Sequence, residues 1–208
     1  MTMPATIDYY FTLISPFTYL GHPTLLEVAS RHGASLVYKP VNLMNVFQTS
    51  GVLPIPERPV SRQNYRLIEL QRIADFRQLP LTLKPAYFPT NPGLANGAAI
   101  AIAQAGADPS SFVFAALQAC WVNEQDIADE GVVRALVEAN GHDADAILAA
   151  AASTAVTDEM SANTDAAIAA GAVGAPVYVL NGEPFWGQDR IEHLDHALAT
   201  SREPYTAA

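Results

Sequence analysis

Residues 1–41 constrain the fold most, because they follow the pattern of a strand, a helix and a second strand with very short connections. Residues 6–14 are rich in β-branched and aromatic types and stop at Ser15-Pro16, which is typical of a buried strand followed at once by a helix. Gly33 ends that helical pattern, and residues 35–41 form the next strand pattern. We therefore expect two parallel strands joined by a right-handed helical connection.

The middle of the chain, residues 42–156, is predicted to be a loop followed by a block of helices. Prolines and glycines between Asn42 and about Val60 predict an irregular loop. Ser61 is expected to cap a helix that runs to about Arg77. Further helical patterns, each bounded by Asp, Ser, Gly or Asn, follow at 94–106, 110–123, 130–140 and 143–153.

The last part of the chain returns to an α/β pattern. A helix from about Asp158 to Gly171 precedes a hairpin at residues 177–186, and a final helix covers about 190–200. Without the helical block, the order of elements is β-α-β, then α-β-β-α, which is the thioredoxin-like order. We predict a thioredoxin-like α/β domain of residues 1–41 and 157–208, with residues 42–156 as an all-helical insertion that leaves a cleft between two layers.

Composition excludes several classes of partner. The chain has 11 Lys and Arg against 21 Asp and Glu, a formal charge of −10, and this acidic balance disfavours nucleic acid. No apolar run reaches the roughly 18 residues of a membrane span. The first basic side chain is Arg31, so the N-terminus lacks the charged region of a signal peptide, and we expect a cytoplasmic protein.

Cysteine usage decides which chemistry is open at the start of the first helix. A thioredoxin-type fold places its reactive group there, where free N–H groups and the helix dipole stabilise an anion. The sequence is Ser15-Pro16-Phe17-Thr18, and Cys120 is the only cysteine, so disulfide exchange at this position is excluded. Ser15 could donate a hydrogen bond to the thiolate of a ligand, or it could be a simple N-cap.

Two later segments are candidates for binding a peptide-like ligand. Proline at a strand start, as in Gly174-Ala175-Pro176, is ordinary, but in this fold it faces the reactive helix, so the Ala175 backbone could pair with an extended ligand. In Phe185–Arg190 a strand ends and a helix begins, where N–H groups could bind a carboxylate and Asp189 an amino group. The alternative for Asp189 is that it caps the helix.

Arginines are concentrated in one stretch of this acidic chain. Residues 58–77 carry a formal charge of +3, and within them Arg62 and Arg66 share a helix face. This suits a small anionic ligand, although a solvated helix face is also consistent. The histidines lack the further ligands that a metal site needs at suitable spacing, so no metal site is expected.

Several motifs together resemble a known family. They are Ser15-Pro16-Phe17-Thr18-Tyr19-Leu20, Phe88-Pro89-Thr90-Asn91-Pro92, Asp126-Ile127-Ala128-Asp129, Gly174-Ala175-Pro176 and Phe185-Trp186-Gly187-Gln188-Asp189-Arg190. In this order the chain resembles the 2-hydroxychromene-2-carboxylate isomerases of the glutathione transferase kappa and DsbA-like thioredoxin superfamily. The resemblance implies a glutathione-dependent isomerase of aromatic degradation, with the serine near the glutathione sulfur and the Ala175-Pro176 bond cis.

The chain departs from the family pattern at Pro23, at Val177 and in residues 51–54. Val177 follows the cis proline where threonine is usual, which should leave the backbone pairing intact. Residues 51–54 lack an asparagine that relatives often place near glutathione, so no role is carried over to this loop.

We accordingly predict that glutathione is the cofactor and that a small aromatic keto acid is the substrate. Ser15 and the helix N-terminus are assigned to the thiolate, Ala175 and Pro176 to the cysteinyl part, and Gln188 and Asp189 to the γ-glutamyl end. Arg62 is assigned to a carboxylate of glutathione or substrate and Asn91 to the substrate. A homodimer is also predicted. The alternative functions are a kappa-type transferase or peroxidase and a non-catalytic glutathione-binding module.

Overall fold

The computed structural model describes residues 4–206 and contains one four-stranded mixed sheet. The strands are β1 (Thr6–Phe11), β2 (Ser35–Pro40), β3 (Val177–Leu180) and β4 (Glu183–Trp186), in the order β2-β1-β3-β4. β1 and β2 are parallel, whereas β3 is antiparallel to both β1 and β4. The predicted parallel opening, the hairpin and the thioredoxin-like α/β fold with a helical insertion are confirmed.

Helices surround this sheet and make up most of the rest of the chain. Their bounds are α1 Pro16–His32, α2 Leu43–Ser50, α3 Val60–Arg77, α4 Gly93–Gln104, α5 Ser110–Trp121, α6 Glu130–Ala139, α7 Ala144–Ala151, α8 Thr154–Ala169 and α9 Ile191–Thr200. Short 3₁₀ turns cover Ile55–Glu57 and Gln188–Arg190. Within residues 4–206, every helix is too short or too polar to cross a membrane.

The prediction of an irregular loop from Asn42 to Val60 was wrong in its first half, where α2 forms. The Asn42 side chain caps this helix by accepting hydrogen bonds from the amides of Met44 (3.1 Å) and Asn45 (3.4 Å). The prolines of the segment all follow Gly51, which ends α2, so they do not interrupt it.

Two helix starts also differ from the predicted ones. α3 begins at Val60 directly after Pro59 and has no side-chain cap, so Ser61 lies inside its first turn instead of capping it. α8 begins at Thr154 rather than near Asp158, because the Ser153 hydroxyl accepts a hydrogen bond from the Val156 amide at 3.3 Å. Both helices were expected, but the cap of α3 was assigned to the wrong residue and the start of α8 was placed about one turn too late.

Successive side chains of a strand point to opposite faces of the sheet, so its apolar residues belong to two separate cores. Ile7, Tyr9 and Phe11 of β1 belong to the large core, which also contains buried residues of α4 and α5 such as Ile102 and Trp121. On the opposite face, a smaller core contains these buried residues: Tyr10, Val41, Val46, Ala167, Ala172, Val177 and Val179. The inserted helices therefore share a core with the sheet.

A histidine is buried where α1 meets the sheet and α5. The His22 side chain has no exposed surface, its Nε2 donates to the Ser110 carbonyl (3.2 Å), and its Nδ1 accepts from the Tyr9 hydroxyl (3.3 Å). Burial lowers the pKa of His22 to about 4, against smaller opposing effects of the Ser110 carbonyl and the Asp108 carboxylate. His22 is therefore neutral in the folded protein at neutral pH.

Candidate functional site

Ser15 occupies the N-cap of α1 and is buried. Its Oγ accepts a hydrogen bond from the Thr18 amide (3.2 Å) and donates one to the Ala175 carbonyl (3.3 Å). The hydroxyl is therefore an N-cap, and it also lies at the positive end of a 17-residue helix, where an anion is stabilised. In this geometry Ser15 is a cap whose proton is donated to the Ala175 carbonyl, and its role as a donor to a ligand stays a prediction.

The loop before β3 contacts Ser15 on one side and the turn before α9 on the other. The Ala175–Pro176 peptide bond is cis, as the resemblance implies, and the Phe88–Pro89 bond is cis as well. The Pro176 carbonyl accepts a hydrogen bond from the Gly187 amide at 2.9 Å. Ser15, the 175–176 loop and the 187–189 turn thus form one connected group, which we call the serine site.

Glycine is required at the start of the 187–189 turn. Gly187 has a φ of 100°, and a Cβ there would lie 2.6 Å from an oxygen of the Asp189 carboxylate. The Asp189 side chain is 58% exposed and lies 3.2 Å from the Arg190 guanidinium. Because α9 has no side-chain cap, Asp189 does not cap the helix; its carboxylate is exposed and pairs with Arg190.

Gln188 points into the protein, unlike its neighbour Asp189. The Arg77 guanidinium, only 11% exposed, donates to the side-chain oxygen and to the carbonyl of Gln188, both at 3.2 Å. It also forms an ion pair with Glu192 at 2.7 Å. Arg77 thus links α3 to the 187–189 turn. The sequence did not predict this contact, because Arg77 and Gln188 are 111 positions apart and no local pattern relates them.

Two other predicted site residues lie outside the serine site. Arg62 is exposed and has no ion pair within residues 4–206. The Asn91 side-chain oxygen accepts a hydrogen bond from the Gly93 amide (2.9 Å) at the turn before α4. No hydrogen bond among the described residues joins either side chain to Ser15.

Two concavities flank the serine site. One, of about 370 Å³, lies between α3 and the turn before α9 and is lined by Arg72, Ile73, Phe76, Arg77, Gln188, Asp189 and Glu192. The other, of about 400 Å³, is formed by α2 and the loop after it and is lined by Met44, Asn45, Phe47, Gln48, Gly51, Val52, Leu53, Pro54 and Glu57. The Ser50 hydroxyl donates to the Val173 carbonyl (3.2 Å), which ties the second concavity to the loop before Ala175.

Comparison with known proteins agrees with this architecture. The model of the DSBA-like thioredoxin domain family matches residues 6–199. The chain belongs to this family. Among its relatives is a 2-hydroxychromene-2-carboxylate isomerase of Sphingobium xenophagum, 31% identical over 94% of this chain and 99% of the relative. By that likeness this DSBA-like protein also belongs with the 2-hydroxychromene-2-carboxylate isomerases.

Two solved structures extend the comparison of this DSBA-like chain. A 2-hydroxychromene-2-carboxylate isomerase superposes with a TM-score of 0.80 at 28% identity, covering 94% of this chain and 95% of the other. A cytosolic disulfide reductase DsbM from Pseudomonas aeruginosa with GSH shares the fold, with a TM-score of 0.69 at 16% identity over 94% and 98% of the two chains. Disulfide exchange by Cys120 is ruled out by its position in the core, since burial raises the pKa of its thiol to about 12.

Proposed function

We propose that this protein is a glutathione-dependent isomerase that converts 2-hydroxychromene-2-carboxylate to trans-o-hydroxybenzylidenepyruvate. The observation that carries the proposal is the buried Ser15 hydroxyl, at the N-terminus of α1 and 3.3 Å from the Ala175 carbonyl. The isomerase relative, which matches almost the whole chain, supports the choice of reaction.

The donors and acceptors of the serine site fit a glutathione molecule. The start of α1 suits a thiolate, and the backbone of Ala175 and Pro176 suits the extended cysteinyl part. The exposed carboxylate of Asp189, which pairs with Arg190 in the structure, suits an α-amino group. The uncapped start of α9 suits the α-carboxylate of the same γ-glutamyl end. Gln188 acts in this scheme by positioning the turn, since its side chain is held by Arg77.

Ser15 has two states in the proposed mechanism. In the first state its hydroxyl donates a hydrogen bond to the Ala175 carbonyl, as in the structure. In the second state the cysteinyl N–H of glutathione donates to that carbonyl, and the hydroxyl donates to the sulfur instead. The Thr18 amide continues to donate to the Ser15 oxygen in both states, so the hydroxyl stays oriented. Glutathione held there would supply a thiolate for reversible addition to the conjugated system of the substrate, and this would give the blocking double bond the character of a rotatable single bond.

The proposed reaction consumes no thiol, and this gives its test. With 2-hydroxychromene-2-carboxylate and sub-stoichiometric glutathione, we expect the substrate to reach equilibrium with the open pyruvate while the free thiol concentration stays constant. Substrate by absorbance and thiol by chemical titration are followed in the same reaction. Thiol loss in step with substrate loss would instead identify a transferase, and tight glutathione binding without turnover would identify a binding module.

Asp189 provides a prediction about glutathione affinity. Replacing Asp189 with alanine should weaken glutathione binding about 10- to 100-fold, because a hydrogen bond between charged groups contributes about 1.5–3 kcal/mol. Asp189→Asn removes the charge but keeps the shape of the side chain, so it separates the contributions of these two properties to glutathione affinity. Asp158→Ala, an exposed acid on α8, is the control for the change in net charge. Calorimetry that finds equal affinities for Asp189→Ala and Asp158→Ala would remove Asp189 from the site.

A further inference from the structure

Asn96 is a buried asparagine of the helical insertion that hydrogen-bonds to the loop before Ser15. It lies on α4 and is 1% exposed. Its side-chain oxygen accepts a hydrogen bond from the Leu13 amide at 3.0 Å, and its side-chain nitrogen donates one to the Thr12 hydroxyl at 3.2 Å. Because a backbone amide can only donate, these contacts fix which end of the Asn96 side chain faces which residue. Asn96 thus joins α4 to the connection between β1 and α1.

The position of Asn96 within α4 is unusual for a polar side chain. Residues 95–102 of this helix are all buried, and apart from Asn96 they are Ala, Gly or Ile. Asparagine is a poor helix former, and burying an amide is unfavourable unless the amide is hydrogen-bonded. Packing alone therefore does not explain Asn96, whereas its two hydrogen bonds to the β1–α1 loop do.

The loop that Asn96 holds leads directly to the serine site. Thr12 and Leu13 have no exposed surface, and they follow β1, which ends at Phe11. The Thr12 carbonyl accepts a hydrogen bond from the Ser15 amide at 3.1 Å. Thr12 therefore contacts Asn96 through its side chain and Ser15 through its backbone, and this connects α4 to the cap of α1.

The Leu13 amide depends on Asn96 for its hydrogen bond. Leu13 lies beyond the paired residues of β1, and the Asn96 oxygen is the acceptor that its N–H has in the structure. A buried amide without a partner is unfavourable, so without Asn96 the loop would shift toward another acceptor. Ser15 is two residues further along the chain, and such a shift would move its hydroxyl, which lies 3.3 Å from the Ala175 carbonyl.

We propose that Asn96 is a positioning residue of the serine site, which sets the place of the Ser15 hydroxyl and of the first turn of α1 through its hydrogen bonds to Thr12 and Leu13. The helical insertion thereby orients the reactive end of α1 from a residue that is itself buried. Displacements well below 1 Å matter at such a position, because a catalytic group acts only when it is held close to its productive geometry. The inference rests on the proposed function only for the glutathione thiol used in one of its two readouts.

Amide hydrogen exchange without any ligand tests the positioning directly. The Thr18 amide donates to the Ser15 oxygen, so its exchange rate reports how firmly Ser15 is held. Asn96→Leu keeps the size of the side chain and removes both hydrogen bonds. We expect it to accelerate exchange of the Thr18 amide by about 10-fold, the effect of losing one hydrogen bond of ordinary strength.

Two controls separate this effect from a general loss of stability. The Val132 amide donates to the Asp129 cap of α6 at 3.0 Å, as the Thr18 amide does to Ser15, and is the internal reference for exchange. Asn163→Leu removes a buried asparagine of α8, 5% exposed, that has no hydrogen bond to residues 12–15. Exchange of Thr18 relative to Val132 should be unchanged in Asn163→Leu.

The thiol of bound glutathione is the second readout. We expect Asn96→Leu to raise the pKa of this thiol by about half a unit to one unit and to lower kcat about 3- to 10-fold. KM for glutathione should change less, because the contacts proposed for Ala175 and Asp189 remain. A residue that only supported the fold would lower stability without changing the thiol pKa of the folded protein.

Thr12→Val decides the question if Asn96→Leu does not fold. It removes the Thr12 hydroxyl while keeping the shape of the side chain and the Asn96–Leu13 hydrogen bond, so we expect the same effects at smaller size. The double variant should show less than the sum of the two single effects, because both substitutions break one contact. Thr18 exchange at the wild-type rate in the folded variant, or equal acceleration in Asn163→Leu, would overturn the proposal.

The two readouts distinguish this proposal from the isomerase proposal. If Asn96→Leu accelerates Thr18 exchange but the wild-type protein shows no glutathione-dependent turnover, the isomerase proposal fails and the positioning role stands. If the wild type turns over substrate but Asn96→Leu matches Asn163→Leu in exchange and in thiol pKa, the positioning role fails and the isomerase proposal stands.

Discussion

Replacing Ser15 with alanine should raise the pKa of bound glutathione by about one to two units, since a hydrogen bond to a charged group contributes about 1.5–3 kcal/mol. The fraction of thiolate at neutral pH falls accordingly, and we expect kcat to fall about 10- to 100-fold with it. Affinity for glutathione should change less, because the contacts proposed for Ala175, Pro176 and Asp189 remain. Ultraviolet titration of the bound thiolate measures the pKa, and steady-state kinetics across pH measures kcat.

Ser153→Ala is the matched control for this experiment. Ser153 caps α8 as Ser15 caps α1, each accepting a hydrogen bond from the amide three residues later, at 3.3 Å and 3.2 Å respectively. Both variants should lose about 1 kcal/mol of stability through the missing cap. Only Ser15→Ala should alter the thiol and kcat. An unchanged thiol pKa in Ser15→Ala would leave Ser15 with a capping role alone.

Acidification should destabilise the protein through His22. The imidazole ionises with a pKa of about 4 when folded, below its ordinary 6.5, so the unfolded chain binds the extra proton first. Stability therefore falls as the pH is lowered from about 6.5 to about 4, by roughly 3 kcal/mol for this residue. Above pH 6.5 both states are neutral at His22, and this contribution to the pH dependence vanishes.

Denaturant unfolding at several pH values between 7.5 and 4.5 measures this effect. His22→Phe, which removes the titrating group, should flatten the slope of unfolding free energy against pH. His193→Gln, at an exposed position, is the control for losing a histidine. Nuclear magnetic resonance titration of the wild-type imidazole gives the folded pKa without any substitution. An imidazole that ionises near pH 6.5 in the folded protein would contradict the expectation.

The low pKa of His22 results from packing that no local sequence pattern reveals. The sequence shows a histidine inside a helical pattern, but its neutral form depends on the Tyr9 hydroxyl and the Ser110 carbonyl, 13 and 88 positions away. The same holds for Gln188, which was predicted to face the ligand and is turned inward by Arg77.

What the sequence by itself determined is the architecture and the serine at the start of α1. The start of α1 at Pro16 after the Ser15 cap and the hairpin turn Asn181-Gly182 depend on neighbours a few residues away, so their hydrogen bonds and backbone preferences are present in the sequence. The absence of a cysteine from residues 15–18 also settled that disulfide exchange is excluded there. Only the tertiary structure decided which side chains meet, because Ser15 and Ala175 are 160 positions apart. Contacts between such distant residues depend on how the shared core brings the sheet, α1 and the inserted helices together, and no pattern of neighbouring residues encodes that packing.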